Sequence, residues 1–411
     1  MRHSQPYLLS VWLALAAWPG SHTALYARGL GRLQQPARAN IALLFGQAAL
    51  PNDLKARIAL IRSLLQSSQS RQASEFAARW RKEAVGSAAL HVEIGIAFAE
   101  ARVYADAIEE FRAALKQAPA QDDVMYNLAL AYYYHQEFAE AERCSRQMLA
   151  SKEAAAPRHL LGLVLERTGR QQEAKAEFAH FARLAPASAD PYVHLGRIAL
   201  EEKGYAEARR AFSEARARCN GTECVEALIG LGAAYKLEGA HEQATNAFRE
   251  AIERAPKHAA GYLYLGDALI RARRYHDAAT PLRKAVELDP SSSLGHYMLA
   301  YALMEAGLAS DEAAFHLQEA IRLDPSNGLA YYRLGLLLGK AGDPRQAVPL
   351  LTKATALEPK LKEAHYQLGI ALQKLGKHAL AREEFAAYRR LSESAVQESS
   401  RIMMEMERLT E

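Results

Sequence analysis

Residues 261–290 read GYLYLGDALIRARRYHDAATPLRKAVELDP, and close relatives of this stretch recur roughly every 34 residues along the chain. Within it, Tyr262, Leu265 and Leu269 fall at i, i+3 and i+7, and Ala278, Leu282 and Ala285 at i, i+4 and i+7. Both spacings are helical, so the stretch is expected to form two helices with one apolar stripe each, joined by a turn at Arg273, Arg274 and Tyr275. A single hairpin cannot bury its own stripe. The units must therefore stack on their neighbours to make a continuous core.

The register of the repeat fixes the rest of the chain. Alanine recurs at 73, 107, 141, 174, 208, 244, 278, 313, 347 and 381, with gaps of 33 to 36 residues. Twelve residues upstream of most of these, or thirteen in the unit with the extra turn residue, stands a small residue, Gly95, Ala129, Gly162, Gly196, Gly232, Gly266, Ala300, Gly335 or Gly369. Such residues let two helices approach closely. Twelve residues downstream comes proline in six units, Pro119, Pro186, Pro256, Pro290, Pro325 and Pro359. Proline cannot continue a helix interior, so it closes each unit. An aromatic recurs at the Tyr275 position as Tyr104, Phe138 and Tyr205.

Together these positions resemble the tetratricopeptide repeat. The resemblance covers residues 54–395 as ten units starting near 54, 88, 122, 155, 189, 225, 259, 293, 328 and 362. It implies an all-α fold, an α-α superhelix of helical hairpins. Residues 25–53 are expected to hold a degenerate repeat or capping helix, since Ala39, Leu43 and Pro51 stand in register. The unit at 189 is two residues longer than the 34-residue period, with the extra length at Cys219–Cys224, and the unit at 293 carries one extra residue between Gly307 and Asp311. Residues 396–411, with Val396, Met403, Met406 and Leu409 at roughly helical spacing, read as a C-terminal capping helix or, alternatively, a Met-rich docking surface.

The chain has 411 residues, half of them apolar, and 51 basic against 47 acidic residues. The two signs are interspersed, which argues against the one-sided basic stripe that nucleic acid requires. At the start, Arg2 and His3 precede an apolar run from Tyr7 to Trp18, and Pro19, Gly20 and Ser21 end it. Residues 1–24 therefore read as a cleaved export signal, too short in its apolar part to span a bilayer as a mature helix. The protein is then expected to be periplasmic or secreted, with no stable membrane span after cleavage. The absence of Asp and Glu before Asp53, with Arg28, Arg32 and Arg38 present, also fits an organellar transit peptide.

Signals of catalysis are sparse. Gly230-Leu-Gly232 lacks the third glycine and the preceding strand of a dinucleotide loop. His241-Glu242 lacks the second histidine of a zinc-protease motif, and neither a phosphate loop nor a nucleophile elbow is present. No catalytic residue, cofactor site or metal site is expected. Cys219 and Cys224 either bridge across their turn, worth at most about 2 kcal/mol for so short a loop, or remain free thiols. Asn220-Gly221-Thr222 matches a glycosylation acceptor.

What remains is the inner face, which in tetratricopeptide proteins is lined by the first helix of each unit. Carried over, that implies a groove lined by Tyr126, Tyr133, Tyr134, His159, His194, Arg197, Tyr264, Asp267, Tyr297, Tyr301, Tyr332, Arg333 and Tyr366. Tyrosine offers a large amphipathic surface at low entropic cost, although the same rings could simply fill gaps between helices. The pattern of the subclass that clamps acidic chaperone tails does not hold, because Leu329 stands where a Lys is needed. Only Asn127 represents the Asn ladder of the O-linked sugar transferase. The expectation is a non-catalytic scaffold binding an extended peptide or a partner's helix. The alternative is an accessory subunit recruiting substrates to a cell-envelope enzyme or assembly complex.

Overall fold

The computed structural model describes residues 54–82 and 87–408. The expected signal and degenerate repeat, residues 1–53, lie outside the described residues. All regular structure among those described is helical, arranged as tandem hairpins in two units that divide after Cys219.

The first unit contains α1 (Leu54–Gln66), α2 (Ser70–Lys82), α3 (Ala88–Glu100), α4 (Tyr104–Gln117), α5 (Asp122–Tyr134), α6 (Phe138–Ser151), α7 (Ala155–Arg167), α8 (Gln171–Leu184), α9 (Asp190–Glu201) and α10 (Tyr205–Arg218). Each first helix packs on its own second helix, and several also reach the first helix of the next hairpin, as α3 reaches α5. The small residue of the repeat makes this possible. A methyl group at Gly95 would stand 2.7 Å from the Phe111 ring, at Gly162 2.6 Å from Phe178, and at Gly196 2.8 Å from Phe212. Each of these phenylalanines is buried, worth roughly 1.5–3 kcal/mol apiece. Where Ala129 replaces the glycine, the residue in the phenylalanine register is the buried Ser145. Volume is thus exchanged across the contact.

The inner turns share one device. Arg102, Gln136, Gly169 and Lys203 adopt left-handed φ of 61°, 67°, 77° and 60°. The amide that follows each reaches back five residues, as Val103 N–H does to the Phe98 carbonyl at 2.8 Å. This is the reverse-turn cap that satisfies the last carbonyls of a helix. The recurrent aromatic then begins the second helix at Tyr104, Phe138 and Tyr205.

The second unit opens with a short 3-10 turn, Gly221–Glu223. It continues with α11 (Cys224–Leu237), α12 (His241–Arg254), α13 (Ala259–Arg271), α14 (Tyr275–Leu288), α15 (Ser293–Glu305), α16 (Ser310–Leu323), α17 (Gly328–Lys340), α18 (Pro344–Leu357), α19 (Lys362–Lys374) and α20 (His378–Arg408). The same close approach recurs, with Gly232 against Phe248 and Gly369 against Phe385. Side-chain caps fix several starts. Ser292 Oγ accepts from Gly295 N at 3.0 Å, and Asn327 Oδ1 accepts from Ala330 N at 3.0 Å. The extra residue of the α15–α16 turn is accommodated by a second left-handed position, Ala309 at φ 35°, after Gly307 at 69°. α20 runs unbroken for 31 residues, so no break separates residues 396–408 from the helix before them.

Candidate functional site

In the first unit, the aromatic residues of α5 form a small cluster. Tyr133 and Tyr134 lie 5.4 Å apart edge-on, and Tyr134 stacks on Tyr104 at 5.4 Å. Burial pushes both α5 phenols above their ordinary range. Tyr126 is half-buried on the same helix. Farther along, His159 stacks on Phe181 at 4.9 Å, and His194 lies flat on Phe178 at 4.3 Å. His194 is only 4% exposed, so its ring is part of the packing.

Arg197 in α9 does not point alone into solvent. Its guanidinium bonds Glu166 at the end of α7, at 2.5 and 2.9 Å, and touches His194 Nδ1 at 3.0 Å. Burial would raise the Glu166 carboxyl, but His194 and Arg197 outweigh it and hold the group at about 2.

The second unit repeats this site 70 residues on, with the charges exchanged. Lys236 stands for Glu166, Asp267 for Arg197, Tyr264 for His194 and Phe248 for Phe178. Lys236 Nζ donates to Asp267 Oδ2 at 2.6 Å, and Arg271 Nε adds a second bond to the same carboxylate at 3.2 Å. Burial pushes Asp267 up, yet Lys236 and Arg271 prevail and lower it. Tyr264 stacks on Phe248 at 5.7 Å and is 4% exposed. Burial, followed by the Asp267 charge, pushes its phenol up to about 12.

Three further tyrosines meet around Arg333. The guanidinium lies 4.2 Å from the Tyr301 ring centre and 5.8 Å from that of Tyr332, while Nη1 donates to Glu305 at 2.7 Å. Tyr297 stacks parallel to Tyr301 at 6.4 Å but is itself buried. Burial, opposed by Arg333, pushes the Tyr301 phenol up to about 12. Tyr301, Tyr332 and Arg333 remain half-buried, with one surface towards solvent. Tyr366 in α19 is 42% exposed and packs on Tyr388 at 5.1 Å.

The thirteen groove candidates therefore divide by depth. His194, Tyr264 and Tyr297 are structural rings, and Arg197, Asp267 and Arg333 are neutralised by Glu166, Lys236 and Glu305. The three partners were not among the residues singled out in the sequence. Their signal was present, because Glu166 precedes Arg197, and Lys236 precedes Asp267, by 31 residues with opposite sign.

A second recurrent slot joins first helix to second helix within several of the hairpins. It holds His91 with Glu110 at 2.6 Å, Arg158 with Glu177 at 2.7 Å and His365 with Glu384 at 2.6 Å. In the α15–α16 hairpin two histidines meet there instead, His296 Nδ1 to His316 Nδ1 at 2.9 Å. Burial, then the His296 charge, lowers His316.

Cys219 and Cys224 are disulfide-bonded, and Cys144 is free and buried. No group of three or more His, Cys, Asp or Glu that could hold a metal ion occurs among the described residues. None of the described helices is long and apolar enough to cross a membrane.

Set beside known proteins, residues 233–293 and 332–396 match a tetratricopeptide repeat family model. No curated protein matches the sequence. Among solved structures, MamA is 25% identical, aligned over 41% of this chain and 97% of its own, with a TM-score of 0.38. The Cut9–Hcn1 hetero-tetramer of APC/C is 14% identical over 82% of this chain and 65% of its own, TM-score 0.48. The C-terminal part of a TPR protein from Cytophaga hutchinsonii is 18% identical over 58% and 98%, TM-score 0.46.

Proposed function

We propose that this chain, which carries tetratricopeptide repeats, is a non-catalytic protein-interaction scaffold whose first-helix face takes an extended peptide or a partner's helix. The observation that carries the reading is the cluster of Tyr301, Tyr332 and Arg333. Two half-exposed rings are held rigid by a cation that is itself fixed by Glu305. Rigid aromatic surface of this kind contributes binding energy with little ordering cost. Because Arg333 is already paired with Glu305, the ring cluster itself favours contact through rings and backbone over recognition of a free ion.

Replacing Tyr301 and Tyr332 together by Ala tests this. Tyr297 is left in place because it is buried and its loss would damage packing. Partner capture from the native host, read by proximity labelling, should collapse while the circular dichroism of the chain stays unchanged. Undiminished labelling of the same partners would refute the groove.

Export belongs to the same proposal. The apolar run from Tyr7 to Trp18 and its small-residue exit support a cleaved signal. N-terminal sequencing of the mature protein should find a start between Gly20 and Leu25, and an intact Met1 would remove the export claim.

A further inference from the structure

Gly339 is a glycine that the packing does not require. At Gly335, one turn earlier in α17, a methyl group would stand 2.7 Å from Leu351, so the small residue is obligatory there. At Gly339 the nearest atom to a methyl group would be Ala347 Cβ at 3.8 Å, an ordinary contact, and no left-handed φ is involved. A helical glycine costs about 1 kcal/mol relative to alanine. In the same register other units place full side chains, among them Tyr133, Glu166, Leu200, Lys236, Ile270 and Met304.

The missing side chain opens a cleft of about 140 Å³ between α17, α18 and α19. Its floor is apolar, formed by Gly339, Pro344, Leu351 and Ile370. A second substitution enlarges it. Leu351 stands where five other units carry phenylalanine, and in the two remaining leucine units, at Leu282 and Leu317, Ile270 and Met304 occupy the place of Gly339. Only in this hairpin are both positions undersized.

The rim is basic. Lys340, Lys374 and Gln367 border the opening, and neither lysine has a carboxylate partner among the described residues. Lys340 follows Arg333 by seven residues on α17, which places it on the same helical stripe as the ring cluster.

We propose that this cleft seats one aliphatic side chain of an acidic peptide, whose neighbouring carboxylates meet Lys340 and Lys374. The proposal rests on the scaffold reading above and gives it a partner chemistry. The side chain would fill the space that Gly339 leaves, and the two ammonium groups would select negative flanks over positive ones.

The test uses the full chain and a fluorescein-labelled synthetic peptide, a central leucine flanked by glutamates, titrated by anisotropy. Changing its leucine to alanine should weaken binding by about tenfold or more, and changing its glutamates to lysines should abolish it. Gly339→Met fills the cleft and should abolish binding, whereas Gly339→Ala adds only a methyl group at ordinary contact distance and should retain it. Equal melting temperatures or higher in both variants exclude misfolding as the cause. Equal affinity for the Gly339→Met variant, preference for the lysine peptide, or no binding of the leucine peptide at all would overturn the proposal. Loss of binding in Tyr301→Ala/Tyr332→Ala but not in Gly339→Met would leave the ring-lined face standing and remove the cleft alone.

Discussion

Asp267→Ala and Lys236→Met should differ in cost although they break the same ion pair. Lys236 is 5% exposed at its side chain, and Asp267 is its acidic partner at 2.6 Å. Asp267 also has Arg271 at 3.2 Å. Removing Asp267 therefore strands a buried ammonium, for which roughly 3 kcal/mol is expected, the lower end for a broken buried pair. Removing Lys236 leaves the carboxylate with a second cation, so the loss is nearer one charge-assisted hydrogen bond, about 1.5 kcal/mol. For a unit of this size each kcal/mol shifts the melting temperature by about 2–4 °C, so Asp267→Ala should melt about 6–12 °C lower and Lys236→Met about half as far. Replacing both, as Lys236→Met/Asp267→Leu, should recover most of the loss because no buried charge is left unpaired. Calorimetry of the full chain, with hydrogen exchange in α13 to localise the change, measures this. Repeat arrays need not unfold in one step, so the local readout matters. Equal destabilisation by the two single variants, or a double variant that is no better than Asp267→Ala, would refute the argument.

Other outcomes follow from the same packing. Gly232→Ala places a methyl group 2.5 Å from the Phe248 ring, and equilibrium urea unfolding should show a loss of about 1–3 kcal/mol. The lowered His316 favours the neutral ring in the fold, so its contribution is present above the ordinary histidine pKa and is lost as pH falls below it. The loss between scans at pH 7.5 and pH 5.5 should therefore shrink in His316→Glu, which recreates the His–Glu pair seen at His91–Glu110 and His365–Glu384. Glu166, held at about 2, contributes fully above the ordinary carboxylate range and loses that contribution as pH falls towards 2. An Arg197→Met variant should shift the acid midpoint of the first unit upwards. Reducing the Cys219 and Cys224 sulfurs should cost at most about 2 kcal/mol, so thermal scans with and without reductant should differ by only a few degrees.

The hairpin architecture was readable because the residues that make it are steric absolutes. Gly95 and Gly162 admit no methyl group against Phe111 and Phe178, so their period survives any drift elsewhere. Depth along the first-helix face was not readable in the same way. Tyr297 and Tyr366 share one register position, yet one is 6% and the other 42% exposed, because depth depends on what the surrounding helices present. Likewise, Asp267 meets Arg271 on its own helix, but the partners that pair Arg197 and Asp267 across hairpins lie on the preceding first helix. Reading one helix at a time finds the stripe and misses the handshake across it. Gly339 was hidden for the opposite reason, since its effect is a side chain that is not there.

The exchanged polarity of the Glu166–Arg197 and Lys236–Asp267 sites bears on how such a chain assembles. Hairpins this alike offer one another nearly interchangeable docking surfaces, and slippage by whole units is a characteristic failure of repeat proteins. Two units out of step, Arg197 would meet Lys236, or Asp267 would meet Glu166, with like charges in a half-dry contact. The correct neighbour is then the one that brings the opposite sign. A pair that adds little to the stability of the finished stack can in this way decide, during folding, which hairpin each newly formed helix is allowed to join.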